Sequence, residues 1–133
     1  MILLNPIAQR RLEGAALLAA SAGVYGYLEF SWALFAACFF LPDLSILPYL
    51  KGPKIGGATY NAAHSLLGPL LIGAWGAIAE SPIGQQLALI WLAHIAHDRA
   101  LGWGLKTEKS FFHTDLGTRR LPFPVPVLDR HLQ

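Results

Sequence analysis

Residues 82–105 read PIGQQLALIWLAHIAHDRALGWGL, and this stretch decides the fold class. From Pro82 to His97 it holds no Asp, Glu, Lys or Arg. As a helix, a run of this length crosses the roughly 30 Å hydrocarbon layer, which takes about 17–25 residues. Pro82 suits the first turn of such a helix, where its missing N–H costs nothing. Polar side chains gather at the far end: His94, His97, Asp98 and Arg99. The stretch therefore reads as a membrane helix with a polar inner end.

Working outward, three further apolar stretches precede it: Leu12 to Leu28, Phe30 to about Leu50, and about Ile55 to Ala79. The second is interrupted by Pro42 and Asp43. The links Tyr27-Leu28-Glu29-Phe30 and Ala79-Glu80-Ser81-Pro82 are very short, which makes helices 1–2 and 3–4 antiparallel hairpins. Between them, Lys51-Gly52-Pro53-Lys54-Ile55-Gly56-Gly57 is ordinary turn chemistry. The expected architecture is an all-α, integral membrane, up-down-up-down four-helix bundle over residues 1–118. Residues 119–133, with Leu121-Pro122-Phe123-Pro124-Val125-Pro126, read as a Pro-rich cytoplasmic tail.

Composition agrees. Of the 133 residues, 54% are hydrophobic and only 14% charged, against about a quarter charged in a soluble domain. Mean hydropathy is +0.44. The net charge of +2 comes without a dense basic run, which argues against nucleic acid as a partner. Cys38 is the only cysteine, so no intramolecular disulfide can form, and its apolar setting suits a small packing residue. The apolar segment after Arg10 and Arg11 is longer than a usual signal-peptide core.

The charges give an orientation. In this topology all ten Lys and Arg residues fall on one face. Arg10 and Arg11 precede helix 1, Lys51 and Lys54 join helices 2 and 3, and Arg99, Lys106, Lys109, Arg119, Arg120 and Arg130 end or follow helix 4. The opposite loops carry Glu29 and Glu80 and no cation. The positive-inside rule then places both termini in the cytoplasm.

The same face collects the remaining polar residues. Helix 1 brings Glu13; helix 2, Asp43 and Ser45; helix 3, Tyr60, Asn61, His64 and Ser65; helix 4, His94, His97, Asp98 and Arg99. Asp43, His64 and Asp98 each sit about 10 Å inside a helix end at 1.5 Å per residue. Ionisable groups at that depth are expensive and usually face a functional interior. His94 and Asp98 are four apart and share a helical face, as do Asn61 and His64 at three apart. Asp43, His64, His94 and Asp98 form a ligand set suited to divalent zinc, manganese or iron. Glu13 is a candidate base or outer ligand, with Asn61 and Arg99 beside it. Plainer readings stand next to these. Asp98 and Arg99 could be an interfacial ion pair, and His94 could make a structural interhelical bond. His97 could snorkel to the interface. Glu29 and Glu80 read as loop caps, and the four Trp residues as belt or packing residues. Phe111-Phe112-His113-Thr114-Asp115 is either a polar surface loop or a lid folded back over the site.

Five blocks occur in a familiar order: Arg11-Leu12-Glu13-Gly14, Pro42-Asp43-Leu44-Ser45, Tyr60-Asn61-Ala62-Ala63-His64, Trp91 to Gly102, and Thr114-Asp115-Leu116-Gly117. Together they resemble a family of small bacterial integral membrane proteins known as domain-of-unknown-function family 4260. The resemblance covers about residues 10–118. It implies four membrane helices, a bacterial inner-membrane location, and motif positions at Glu13, Asp43, Asn61, His64, His94, Asp98 and Arg99. It implies no activity. His97 falls where the family is commonly apolar, and a His often stands where this chain has Asp115. Paired His and Asp on short membrane helices are also similar to membrane-bound metal-dependent hydrolases, as an analogy.

The leading expectation is a metal-assisted hydrolase acting on a lipid-like substrate. Glu13, with its pKa raised by burial, would take the proton, and Arg99 would hold an anionic head group. Metal-free acid–base isomerisation or cyclisation, a structural or accessory subunit, and a haem between His64 and His94 are the alternatives. Membrane lipid is the expected partner, and a homodimer is left open.

Overall fold

The computed structural model describes residues 5–107 and 111–118. The Pro-rich tail over residues 119–133 lies outside them. The chain is all-helical apart from one short hairpin. Its elements are α1 (Pro6–Tyr27), α2 (Trp32–Cys38), a 3₁₀ segment (Leu41–Lys51), α3 (Pro53–Ala63), α4 (Leu67–Ile78), α5 (Pro82–Leu101), β1 (His113–Thr114) and β2 (Gly117–Thr118).

Local sequence sets most of these boundaries. The Asn5 side chain caps α1 by accepting from the Ile7 N–H at 2.9 Å, and Pro6 follows at the first helical position. Ser81 and Pro82 repeat the device for α5. Two tight turns reverse the chain after α1 and α4, with Glu29 and Glu80 at φ of 55° and 49°. Both are the turn residues expected as loop caps. Gly102, at φ 87°, ends α5, and the Trp103 N–H returns to the Asp98 carbonyl at 2.8 Å. The polar end of α5 is thereby closed and the chain turned back over it.

Small residues then let the helices close up. A methyl group on Gly14 would lie 2.7 Å from the Ala100 nitrogen, so α1 and α5 touch backbone to backbone. A methyl on Gly76 would lie 2.8 Å from the Gln85 nitrogen, so α4 and α5 do the same. Ala88, Ala93 and Ala96 give α5 the narrow buried face that receives its neighbours.

Two of the expected spans are not continuous α-helices. The second runs as α2 for seven residues and then as eleven residues of 3₁₀ helix. Pro42 and Pro48 each lack an N–H and clash with the preceding turn, so an α-helix cannot run through them. The third breaks at residues 64–66 into α3 and α4. Pro69 explains the break: its ring would strike the Ser65 carbonyl of a continuous helix, so the helix restarts with Pro69 in its first turn. The Ala63 carbonyl at the break accepts from the Trp91 indole N–H at 2.6 Å.

Among the described residues, one segment, Trp32–Lys51, is long and apolar enough to cross a membrane by length and composition. Much large apolar surface is exposed, including Phe40, Leu47, Leu50, Leu70, Leu71 and Ile78. A buried aromatic core lies beside Lys106. There Tyr49, Tyr60, Phe111 and Phe112 pack together, flanked by Ile46 and Trp103. The β1–β2 hairpin is thus tucked into the fold and is no loose surface loop. The Thr107 N–H donates to the His113 carbonyl at 2.9 Å and the Asp115 N–H to the Leu105 carbonyl at 3.0 Å.

Candidate metal centre

Three elements aim side chains at one point. Asp43 comes from the first turn of the 3₁₀ segment, His64 from the C-cap of α3, and His94 and Asp98 from adjacent turns of α5. Each break in the helices has a use here. His64 enters from the end of α3, and Asp43 from the first turn of the 3₁₀ segment, directly after Pro42.

One ligand atom from each of the four residues lies within 4.8 Å of all the others. His64 Nε2 and His94 Nε2 are 3.2 Å apart. Asp43 Oδ1 lies 3.5 Å from His64 Nε2 and 3.4 Å from His94 Nε2. Asp98 Oδ2 lies 3.4 Å and 3.6 Å from the same nitrogens. A tetrahedral ion with ligand bonds of about 2.0–2.2 Å has edges of about 3.3–3.6 Å. Five of the six edges lie near that figure, and the sixth, between the two carboxylates, lies within 4.8 Å.

The protonation pattern agrees with a cation. A carbonyl can only accept, so His64 Nδ1–H donates to the Tyr60 carbonyl at 2.9 Å. In neutral His64 this leaves Nε2 as a bare lone pair facing the cluster. That is the usual outer support of a metal-ligating imidazole. Two carboxylate oxygens converge on the same point. His64 and His94 are almost wholly buried, at 4% and 0% exposure. Converging acceptors in a buried site repel one another unless a positive charge sits among them. A divalent ion balances two carboxylates.

Tyr60 supports the cluster twice. Its hydroxyl donates to Asp98 Oδ2 at 3.2 Å, and its ring stacks on His64 with centroids 3.7 Å apart and planes 9° apart. Behind Tyr60 sits Lys106, 5% exposed, with no hydrogen-bond partner for Nζ. Nζ lies 4.0–4.6 Å from the ring centroids of Phe111, Tyr60 and Trp103. Burial pushes the Lys106 amine down to about 8, against the opposing pull of Asp98, Asp43 and Asp115.

A cavity of about 380 Å³ opens beside the cluster, with His64, Asp98 and Tyr60 in its wall. Arg10, Glu13, Arg99 and Asp115 line it as well, with Leu17, Ile95 and Leu116 as apolar wall. Its size suits a small ligand.

Residues 8–118 match the model of a family described as Domain of unknown function (DUF4260). The chain belongs to that family. No curated protein and no solved structure matches it.

In this DUF4260 chain the expected site residues divide clearly. The four expected ligands come together. Arg99 and Glu13 reach the cavity but not the cluster. Glu13 is exposed and accepts from Gln9 Nε2 at 3.0 Å, so its expected burial is corrected: the stretch of α1 from Gln9 to Glu13 is open to solvent, and Glu13 lines the cavity from there. Asn61 faces elsewhere, its amide taken up by the Lys106 backbone, with Nδ2 donating to the Lys106 carbonyl at 2.8 Å. His97 Nδ1 lies 3.4 Å from Asp98 Oδ1. As placed here, the two imidazole nitrogens stand 3.2 Å apart, with no gap between them for a macrocycle.

Sequence reasoning gave no role to Tyr60, Lys106 or the Arg10–Asp115 ion pair. Tyr60 was within reach, since it stands four residues before His64 and shares its helical side. The pair from residue 10 to residue 115 had no local signal.

Proposed function

We propose that this DUF4260 protein is a membrane-embedded metal enzyme of the bacterial inner membrane. It would bind a divalent ion through Asp43, His64, His94 and Asp98 and hydrolyse a lipid-like substrate held in the adjoining cavity. The observation that carries this reading is the convergence of four candidate ligand atoms within 4.8 Å, two of whose residues, His64 and Asp98, also line a ligand-sized cavity. The exposed apolar surface and the gathering of Arg10, Arg11, Lys51, Lys54, Arg99 and Lys106 around the helix ends on one side support a membrane setting with cytoplasmic termini.

A bound divalent ion would supply Lewis acidity and an activated water. The chain's own residues do the rest. The Tyr60 hydroxyl and the Tyr60 carbonyl fix the orientation of Asp98 and the tautomer of His64. Glu13, on the cavity wall, receives the proton, and Arg99 faces the anionic part of the substrate. Leu17 and Ile95 shield the reacting group from bulk water.

A second reading has one observation in its favour. Four protein ligands make a closed set, which is typical of structural zinc, whereas a catalytic site keeps one position open. The ion would then only tie the 3₁₀ segment, α3 and α5 together. The first test is elemental analysis of the detergent-purified chain, with about one divalent ion per molecule expected. Protein that carries none, and takes up none from a zinc, manganese or iron solution, would refute both metal readings. Activity that survives chelation would instead support metal-free acid–base chemistry with the same residues.

A further inference from the structure

The cavity walls hold five charged side chains whose partners can be followed one by one: Arg10, Glu13, Asp98, Arg99 and Asp115. Asp98 accepts from Tyr60 and faces the two cluster imidazoles. Glu13 accepts from Gln9. Arg10 Nη1 bonds Asp115 Oδ2 at 2.7 Å, while Asp115 Oδ1 accepts the Leu105 N–H at 2.8 Å. The Arg99 side chain alone makes no hydrogen bond or ion pair among the described residues. The one charged side chain of the cavity without a partner is therefore a guanidinium.

The Arg10–Asp115 pair adds a second cation held in reserve. Both side chains are open to solvent, at 56% and 42% exposure. An exposed pair of this kind contributes about 0–1 kcal/mol, so an incoming anion displaces it at little cost. Asp115 already occupies an anion's place at the cavity rim, between a guanidinium and a backbone N–H. A guanidinium matches phosphate or carboxylate oxygens two at a time.

We infer that the cavity is a binding site for an amphiphile with a phosphate- or carboxylate-type head. The anion sits on Arg99 and takes Arg10 from Asp115, and the apolar part lies against Leu17, Ile95 and Leu116. This deepens the reading of the cavity as the substrate chamber by naming the substrate class, and it holds whether or not a metal is bound next door.

The test is calorimetric titration of the detergent-purified chain with dihexanoyl phosphatidic acid, dihexanoyl phosphatidylcholine and inorganic phosphate. The acidic lipid is expected to bind at least tenfold more tightly than the other two. Arg99→Gln, at a side chain with no bond to lose, should weaken it about tenfold or more. Asp115→Asn keeps an acceptor for the Leu105 N–H but frees Arg10, and should tighten binding several-fold, a gain that loss of folding cannot produce. Equal binding of the phosphatidylcholine, or an Arg99→Gln chain as good as wild type, overturns the proposal. Phosphate binding as tightly as the acidic lipid overturns the amphiphile and leaves a free anion as the ligand. The same titration on His94→Ala separates the two readings: Arg99-dependent binding there supports the cavity site even if no metal is ever found.

Discussion

Two buried polar centres lie on either side of Tyr60, and they are opposites. On one side, Asp43, His64, His94 and Asp98 bring two nitrogens and two carboxylate oxygens within 4.8 Å of one another. On the other, the Lys106 ammonium stands among three aromatic rings without a hydrogen bond. The first centre sets two carboxylates and the His64 lone pair side by side, a grouping that a cation would balance. The second is a cation that has given up water for the faces of rings, a partial compensation worth roughly 0.5–2 kcal/mol for each good contact. Tyr60 stacks on His64 and also lies under Lys106, so one side chain separates the two centres and couples them. The contrast teaches that burial alone does not mark a binding site. Convergence of like-natured ligand atoms does, while an isolated buried charge marks a cost that the surrounding fold must carry.

The comparison breaks most decisively at His94. His94→Ala removes one of four ligands from a fully buried position. Divalent-ion affinity should fall by at least about two orders of magnitude, beyond the 10–100-fold usual for an outer partner. Isothermal titration checks it, with helical content by circular dichroism as the control. Unchanged affinity would remove the cluster from consideration as a metal site.

Tyr60→Phe sharpens the comparison at the residue the two centres share. It keeps the ring between His64 and Lys106 and deletes only the hydroxyl on Asp98. Affinity should drop by roughly 10–100-fold with little loss of thermal stability. A collapse of stability with affinity intact would assign Tyr60 to packing alone.

Lys106→Met gives the smallest effect and tests the second centre by itself. In the folded chain the amine titrates near 8, below its ordinary 10.5. Between those values the unfolded chain binds more protons than the folded one, so wild-type stability rises with pH. Below about pH 8 both forms are charged and the full burial penalty stays. Thermal midpoints should climb by a few degrees from pH 8 to 10 in wild type and less in the variant. Lys106→Met should also match or exceed wild type at neutral pH, because an apolar chain of similar length fits an aromatic cage. A variant clearly less stable at pH 7 would show that the ammonium stabilises the fold.

Much of this was legible in the chain. Apolar run lengths placed the first and last helices, and Asn5-Pro6 and Ser81-Pro82 mark their starts. Spacing singled out His94 with Asp98, and the pooling of polar residues at one end added Asp43 and His64. Proline warned of trouble at residues 42, 48 and 69 without saying how far the helices would break. Asn61 misled, because a helical face fixes a direction and not a partner, and its partner came from residue 106.

Sequence by itself determined the helical class, the membrane-like composition, the cation-rich end and the identity of the four metal-seeking side chains. These rest on periodicity, hydropathy and residue chemistry, all of which act within a turn or two of the chain. Tertiary structure alone decided that the four candidate ligand atoms meet within 4.8 Å, that Lys106 is caged, and that Asp115 reaches back to Arg10. Those outcomes depend on helix breaks, on glycine-close packing of α1 against α5, and on a hairpin folded over both. They join residues up to 105 positions apart, a separation across which no local preference acts.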